Sequence, residues 1–194
     1  MRQCREESNV QIKKIENIEM VTQLTALLHQ AYEADIKLGI HFAASSVTER
    51  DVLKHILSTP TFILQDESGV IVATTSVRLP WSDNPGPFGL PHLGWVATNP
   101  NYQKQGFAKQ IIDWVINNYV KPELQTPAVT IGTAFDHPWL SSFYQSIGFE
   151  TIDIVQKPNG PKAIFFISIF DEQRTQSMNN TYLNRVLSGQ NRIY

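Results

Sequence analysis

Cysteine is nearly absent from this chain of 194 residues: Cys4 is the only one. That excludes an intramolecular disulfide and a thiolate metal cluster. The five histidines show no H-x-x-H or H-E-x-x-H spacing, so no metal site is expected. Long apolar runs are missing too. The longest, "AIFFISIF" at 163–170, is far too short to span a bilayer. The segment "MRQCREESN" has no apolar stretch of the kind that directs export. Charge of one sign is not in excess, since 16 Lys+Arg face 18 Asp+Glu for a formal net charge of −2. This argues against nucleic acid or a membrane as the main partner. The expectation is a cytoplasmic chain, long enough for one domain with a sizeable core.

Periodicity then orders the elements. "VQIKKI" (10–15) alternates as a short strand. Val21, Leu24, Leu28, Ala31 and Tyr32 share one face of a first helix, which "IKLGIHFAAS" breaks. Ser46, three residues before Glu49, predicts a capping box, with Leu53, Ile56 and Leu57 as the apolar stripe behind it. "TFILQD" and "VIVATTSVRLP" form a hairpin, followed by the stiff loop "PWSDNPGPFGLP" at 80–91. "HLGWVATNP" is a strand, Gly106 to about Val120 a helix, and "AVTIGTAF" another strand. "HPWLSSFYQSIGF" reads as a short helix with Gly148 at its C-terminal cap, and "TIDIVQ" and "KAIFFISIF" close the set as strands. The result is an α/β domain over residues 1–170, with helices on both faces of a mixed sheet. Residues 171–194 form either one short helix through Tyr182, Leu183, Val186 and Leu187 or a loosely packed tail.

The chemistry concentrates at "NPNYQKQGFAKQ" (99–110), where a strand turns into a helix across Gly106. Unpaired N–H groups and the dipole of a helix start favour a phosphate. Gly106 lets the backbone approach a ligand, Ala108 is small, and Lys104 and Lys109 add positive charge. Neither G-x-x-x-x-G-K-[ST] nor G-x-G-x-x-G occurs, and a single glycine before a helix also fits a plain tight turn.

Gln103, Gly106 and Ala108 match the [RQ]-x-x-G-x-[GA] signature of the GNAT superfamily of N-acetyltransferases. "FYQSIGF" resembles that family's second motif, with Tyr144 four residues before Gly148 and Phe149. The element order from about residue 10 to 170 is also similar. The resemblance implies a single, mostly antiparallel sheet of about seven strands and acetyl-CoA as cosubstrate. It implies that the backbone of Lys104, Gln105, Gly106, Phe107 and Ala108 holds the pyrophosphate, with Gln103 and Lys109 beside it. Val96, Ala97 and Thr98 would pair with the pantetheine arm and Phe143 would lie near the sulfur. Tyr144 would be the general acid for the leaving thiolate, although helical spacing alone makes it a core aromatic.

An ammonium must lose a proton before attack. His92, which opens the strand to the motif, is the candidate base, or an idle histidine at a strand end. Glu33 and Asp35 are placed on the solvated face of the first helix, and His29 and His55 on helix surfaces. The sequence departs from the family pattern at Gln103, where arginine is common, at Thr98, and at His137. His137 stands where an asparagine often bonds the pantetheine arm. An imidazole can donate such a bond. The two acceptor-side loops are nearly uncharged and carry His41, Phe42, Trp81 and Phe88, with Trp139 nearby. An acidic site for a polycation is not evident. The expected partner is therefore a small-molecule amine with an apolar body; a homodimer is allowed. A peptide acceptor and a non-catalytic CoA-binding module stay open as alternatives.

Overall fold

Strand order is dictated by burial. The structure is a computed structural model and describes residues 10–156 and 161–189; Cys4 and the ends of the chain lie outside the described residues. β2 (Thr61–Gln65) is buried along its whole length, so it must be covered on both faces. Its alternate side chains face opposite ways. Phe62 and Leu64 pack with Ile111 and Val115 of α3 (Phe107–Val115). Ile63 packs with Leu24 and Leu28 of α1 (Val21–Lys37). α2 (Glu49–Ser58) joins α1 on that side through Val52.

The remaining strands are β1 (Gln11–Lys14), β3 (Ile71–Arg78), β4 (His92–Thr98), β5 (Ala128–Ala134), β6 (Glu150–Gln156) and β7 (Lys162–Ile169). They form one seven-stranded sheet in the order β1-β2-β3-β4-β5-β7-β6. Every pairing is antiparallel except β4 with β5. That parallel pair is short, with only His92↔Thr130 and Leu93↔Ile131 in register. Beyond it the two strands part and leave an opening in the sheet. A bulge lies at the same point: Thr74 pairs with Ala97 and Ser76 with Gly94, so Trp95 and Val96 stand opposite a single residue. Trp95 takes a left-handed φ of 48°, an uncommon conformation for a bulky side chain.

Several local expectations change. The capping box exists two residues further on: Thr48 Oγ1 accepts from the Asp51 N–H (3.2 Å) and Asp51 Oδ2 accepts from the Thr48 N–H (2.9 Å). Ser46 instead ends a short 3-10 turn, and Leu57 is exposed while Val52 takes its place in the core. α3 continues into a wider π-type coil over Ile116–Val120. The C-terminal segment is not loose over its described part. α5 (Glu172–Gln176) leads into α6 (Thr181–Leu187), whose Leu183 and Val186 are buried against Phe88, Leu90, Ala128 and Ile167. Phe88 is therefore core, stacked on Tyr182, and is no acceptor-loop contact. Among the described residues no helix is long and apolar enough to cross a membrane.

Candidate active site

The turn expected to hold a phosphate is built with two left-handed residues. Lys104 has φ 62° and Gly106 has φ 89°, after which α3 begins at Phe107. No atom lies within 4 Å of where a Cβ on Gly106 would sit, so backbone conformation and not crowding requires glycine there. Lys104 supplies the second left-handed position that a phosphate loop more often gives to another glycine, at a cost of about 1 kcal/mol or more. Tyr102 ties the turn to the β2–β3 hairpin by donating to Asp66 Oδ2 at 2.6 Å. That bond comes first among those that hold the Asp66 carboxyl down to about 2.

A cavity of about 750 Å³ opens from this turn and runs along β4. Of the residues expected to hold the cosubstrate, it is lined by Val96, Ala97, Thr98, Gln103, Lys104, Gly106, Phe107, Ala108, Lys109, His137 and Phe143. Gln105 is exposed and outside the lining. The Lys109 ammonium is engaged by Asp113 one helical turn on, so it is less mobile than a free surface cation.

Tyr144 stands at the end of α4 (Leu140–Ser146), and the helix stop explains its spacing to Gly-Phe. Gly148, at φ 94°, donates to the Gln145 carbonyl oxygen (3.1 Å), and the Phe149 N–H donates to the Tyr144 carbonyl oxygen (3.1 Å). This is a Schellman stop, in which the residue after the glycine contacts the residue five before it. Tyr144 and Phe149 make that contact, with ring centroids 6.4 Å apart. The motif thus ends α4 just past Tyr144 and sets the Phe149 ring against it.

A second cavity, of about 740 Å³, lies on the other side of Tyr144. Tyr32, Val96, Leu140 and Tyr144 line both. The two tyrosines differ in one respect. Tyr32 donates its hydroxyl to the Val96 carbonyl oxygen at 3.1 Å, whereas the Tyr144 hydroxyl makes no hydrogen bond among the described residues. Burial, followed by the nearby Asp35 carboxylate, pushes the Tyr144 phenol well above its ordinary range, so it stays protonated at neutral pH.

Asp35 is not on a solvated face. It is buried, and its Oδ1 lies 2.9 Å from His137 Nε2. His137 Nδ1 accepts from the Leu140 N–H at 3.3 Å, which puts the ring proton on Nε2, facing Asp35. With both nitrogens committed, the expected His137 bond to a pantetheine arm is not available in this arrangement. Glu33 is exposed as expected, paired with Lys37 at 2.8 Å.

The second cavity collects three histidines. His41 lies exposed at its rim and Phe42 lines it, packed on Tyr32 with centroids 5.3 Å apart. His92 is buried, not half-exposed: Gly86 of the 80–91 loop sits so close that a Cβ there would fall 2.4 Å from the His92 Cβ. Its Nδ1 is 2.9 Å from Thr130 Oγ1, and that hydroxyl donates to the Pro91 carbonyl oxygen (3.3 Å). The Nδ1 edge of the ring is therefore held by Thr130. Trp81 is the residue not brought in. It is 72% exposed and outside both cavities, while Asn84, Pro85 and Pro87 of the same loop line the second one.

Sequence reasoning placed His55 on a helix surface, but it lines the second cavity and stacks on Trp95, with centroids 3.6 Å apart and planes at 14°. Only its proximity to a bulge in a distant strand reveals this. Burial, and then the Arg78 charge, hold its imidazole down at about 4. The unfolded chain takes up this proton near pH 6.5, the folded chain near pH 4. Stability is therefore full above about 6.5, falls as the pH drops towards about 4, and levels below that. We expect the loss to be on the order of 2 kcal/mol, reduced from the full linkage value by the ring's remaining contact with solvent. Urea midpoints at neutral pH and near the lower value test it: His55→Phe should keep the stack and lose less stability on acidification. An equal loss in parent and variant would reject this role.

The model of the acetyltransferase (GNAT) domain family matches residues 58–151. The chain is similar to an S-(2-succino)cysteine N-acetyltransferase of Bacillus subtilis, with 39% identity over 127 residues, covering 66% of this chain and 76% of that protein. It is also similar to an S-alkylcysteine N-acetyltransferase of the same organism, 28% identical over 140 residues, covering 72% of this chain and 78% of the relative. Among solved structures, an acetyltransferase of the GNAT family from Staphylococcus aureus shares the fold, with a TM-score of 0.64 at 15% identity, covering 84% of this chain and 100% of that one.

Proposed function

This chain belongs to the GNAT superfamily of N-acetyltransferases, and from that we propose that it transfers acetyl from acetyl-CoA to the α-amine of a cysteine carrying a substituent on sulfur. The single observation that carries the reading is the meeting of two cavities at Tyr144, whose hydroxyl has no partner among the described residues. The names of the two curated relatives support the acceptor class.

The first cavity fits CoA on its own chemistry. The turn at Lys104–Gly106 offers backbone N–H groups to phosphate, and the Thr98 hydroxyl oxygen is buried without a partner among the described residues. Acetyl-CoA, when bound, supplies the activated acyl group as a thioester. His92 is the base for the acceptor ammonium, acting through water from the second cavity. His55 is the weaker candidate, since a histidine held near 4 gives little driving force for proton removal. A backbone N–H in the stretch Val96–Thr98 faces the developing oxyanion. Tyr144 gives its proton to the departing thiolate.

The test is CoA release with an S-alkylcysteine as acceptor, alongside thermal unfolding with acetyl-CoA. At a hundred times its Kd, acetyl-CoA should add about 2.7 kcal/mol of stability. Turnover with free thioether amino acids is the expected result. Tight acetyl-CoA binding without turnover on any amine would favour a non-catalytic module, and turnover confined to peptides would favour a peptide acceptor. No stabilisation at millimolar acetyl-CoA would overturn the cosubstrate itself.

A further inference from the structure

The acceptor cavity is positively charged. Among the described residues that line it there is no Asp or Glu, but there are Arg78 and Lys162. Arg78 is half-buried at the end of β3 and is held by the 80–91 loop. Its Nε donates to the Asn84 carbonyl oxygen (2.8 Å), and its Nη2 donates to Asn84 Oδ1 (2.7 Å) and to the Pro85 carbonyl oxygen (2.6 Å). These bonds orient the guanidinium but use only neutral acceptors. Nη1 has no hydrogen-bond partner, and the guanidinium has no carboxylate partner, among the described residues. A fixed, half-buried cation with two spare donors suits one class of ligand, a carboxylate.

Position decides which carboxylate. The amine must lie at the junction of the cavities, beside Tyr144 and Val96. Arg78 pairs across the sheet with His92, four residues before Val96 on β4. At a strand rise of about 3.3 Å this puts the Arg78 backbone roughly 13 Å from the junction. Its side chain recovers part of that span, passing Gly94 with its Cδ 3.6 Å from where a Cβ would sit. An α-carboxylate is attached to the carbon that bears the amine and stays near the junction, whereas a carboxylate at the end of an extended sulfur substituent has the length to span towards the guanidinium.

We propose that Arg78 selects acceptors whose sulfur substituent ends in a carboxylate over neutral S-alkylcysteines. Lys162, whose Nζ sits 4.3 Å over the Phe135 ring, is a second cation for acceptors with two such carboxylates. This rests on the acetyl-transfer reading above for the direction in which the acceptor lies. It also excludes polyamines as good acceptors, because their charge matches that of the cavity.

The test pairs S-carboxyethylcysteine with its neutral amide, which has nearly the same shape. Both are measured as acceptors by kcat/KM and as ligands by calorimetry in the presence of CoA. The parent protein should favour the carboxylate in both measurements. Arg78→Gln should weaken the carboxylate by about ten- to a hundredfold and leave the amide within about twofold. Arg78→Lys, which keeps the charge and loses the fork, should shift the same ratio by a smaller factor. Equal losses on both ligands would mean that Arg78 only anchors the loop, and would overturn the proposal. So would an unchanged ratio in either variant, or no preference in the parent. Should Arg78→Gln fail to fold, the lysine variant decides by the same ratio. Binding that follows the ratio without turnover would count against acetyl transfer and still support Arg78.

Discussion

Tyr144→Phe is expected to lower kcat by about a hundred- to ten-thousandfold while leaving acetyl-CoA affinity nearly unchanged. The substitution removes one atom that makes no hydrogen bond among the described residues. The ring keeps its contacts with Phe149 and Phe166, at centroid distances of 6.4 and 5.6 Å, so the fold loses little. In the role proposed for Tyr144, what is lost is the proton for the leaving thiolate. The neighbouring Tyr32 cannot replace it, because its hydroxyl is committed to the Val96 carbonyl oxygen. Burial holds the Tyr144 phenol above its usual range, so in the parent protein loss of this acid should not limit rate until beyond pH of about 10. His92→Ala is the companion variant and should flatten the acidic limb of the rate profile. An unchanged kcat in Tyr144→Phe would reject Tyr144 as the acid, and an unaltered acidic limb would remove His92 as the base.

His137→Leu is expected to destabilise the fold by about 3–5 kcal/mol, because it leaves the Asp35 carboxylate buried without its partner. The His137 side chain is 1% exposed and that of Asp35 is 10% exposed, so water cannot take over the lost bond fully. The imidazole also accepts from the Leu140 N–H at the start of α4, the helix that presents Tyr144. For a chain of this size the melting temperature should fall on the order of 10 °C. The double change Asp35→Leu with His137→Leu should recover much of that loss, since an apolar pair carries no desolvation cost. Urea unfolding of the two single variants and the double variant measures the coupling. A single variant within about 1 kcal/mol of the parent would show that the pair contributes little.

The glycine turn before α3 and the helix stop after Tyr144 were readable in local sequence, and the reason lies in the range of the interactions that build them. The turn before α3 is made by residues in direct succession, with Gly106 at a φ that glycine adopts without penalty. Tyr144, Gly148 and Phe149 are tied by backbone bonds spanning three and five residues. Such constraints leave a spacing that can be read without knowing the rest of the chain. The order of strands and helices was readable on the same terms, because each element carries its own period. The capping box was misplaced by two residues because Ser46 and Thr48 have the same chemistry, and only the short 3-10 turn at Ala43–Ser46, which takes up Ser46, tells them apart.

The acceptor side was not readable in this way. His55 reaches the cavity only because it meets Trp95 at a strand bulge, and Asp35 is drawn into the interior by His137, 102 residues away. Phe88 and Trp81 lie in one loop with similar chemistry, yet one is fully buried under α6 and the other is 72% exposed. Helical or strand periodicity carries no information about such partners, since it specifies a face and not what covers it. By itself, the sequence determined the order of elements, the glycine turn before α3 and the helix stop just past Tyr144, which rest on each element's own period and on bonds between near neighbours. Only the tertiary structure decided which histidines and cations share the second cavity, because burial and charge there depend on contacts between strands and helices far apart in the chain.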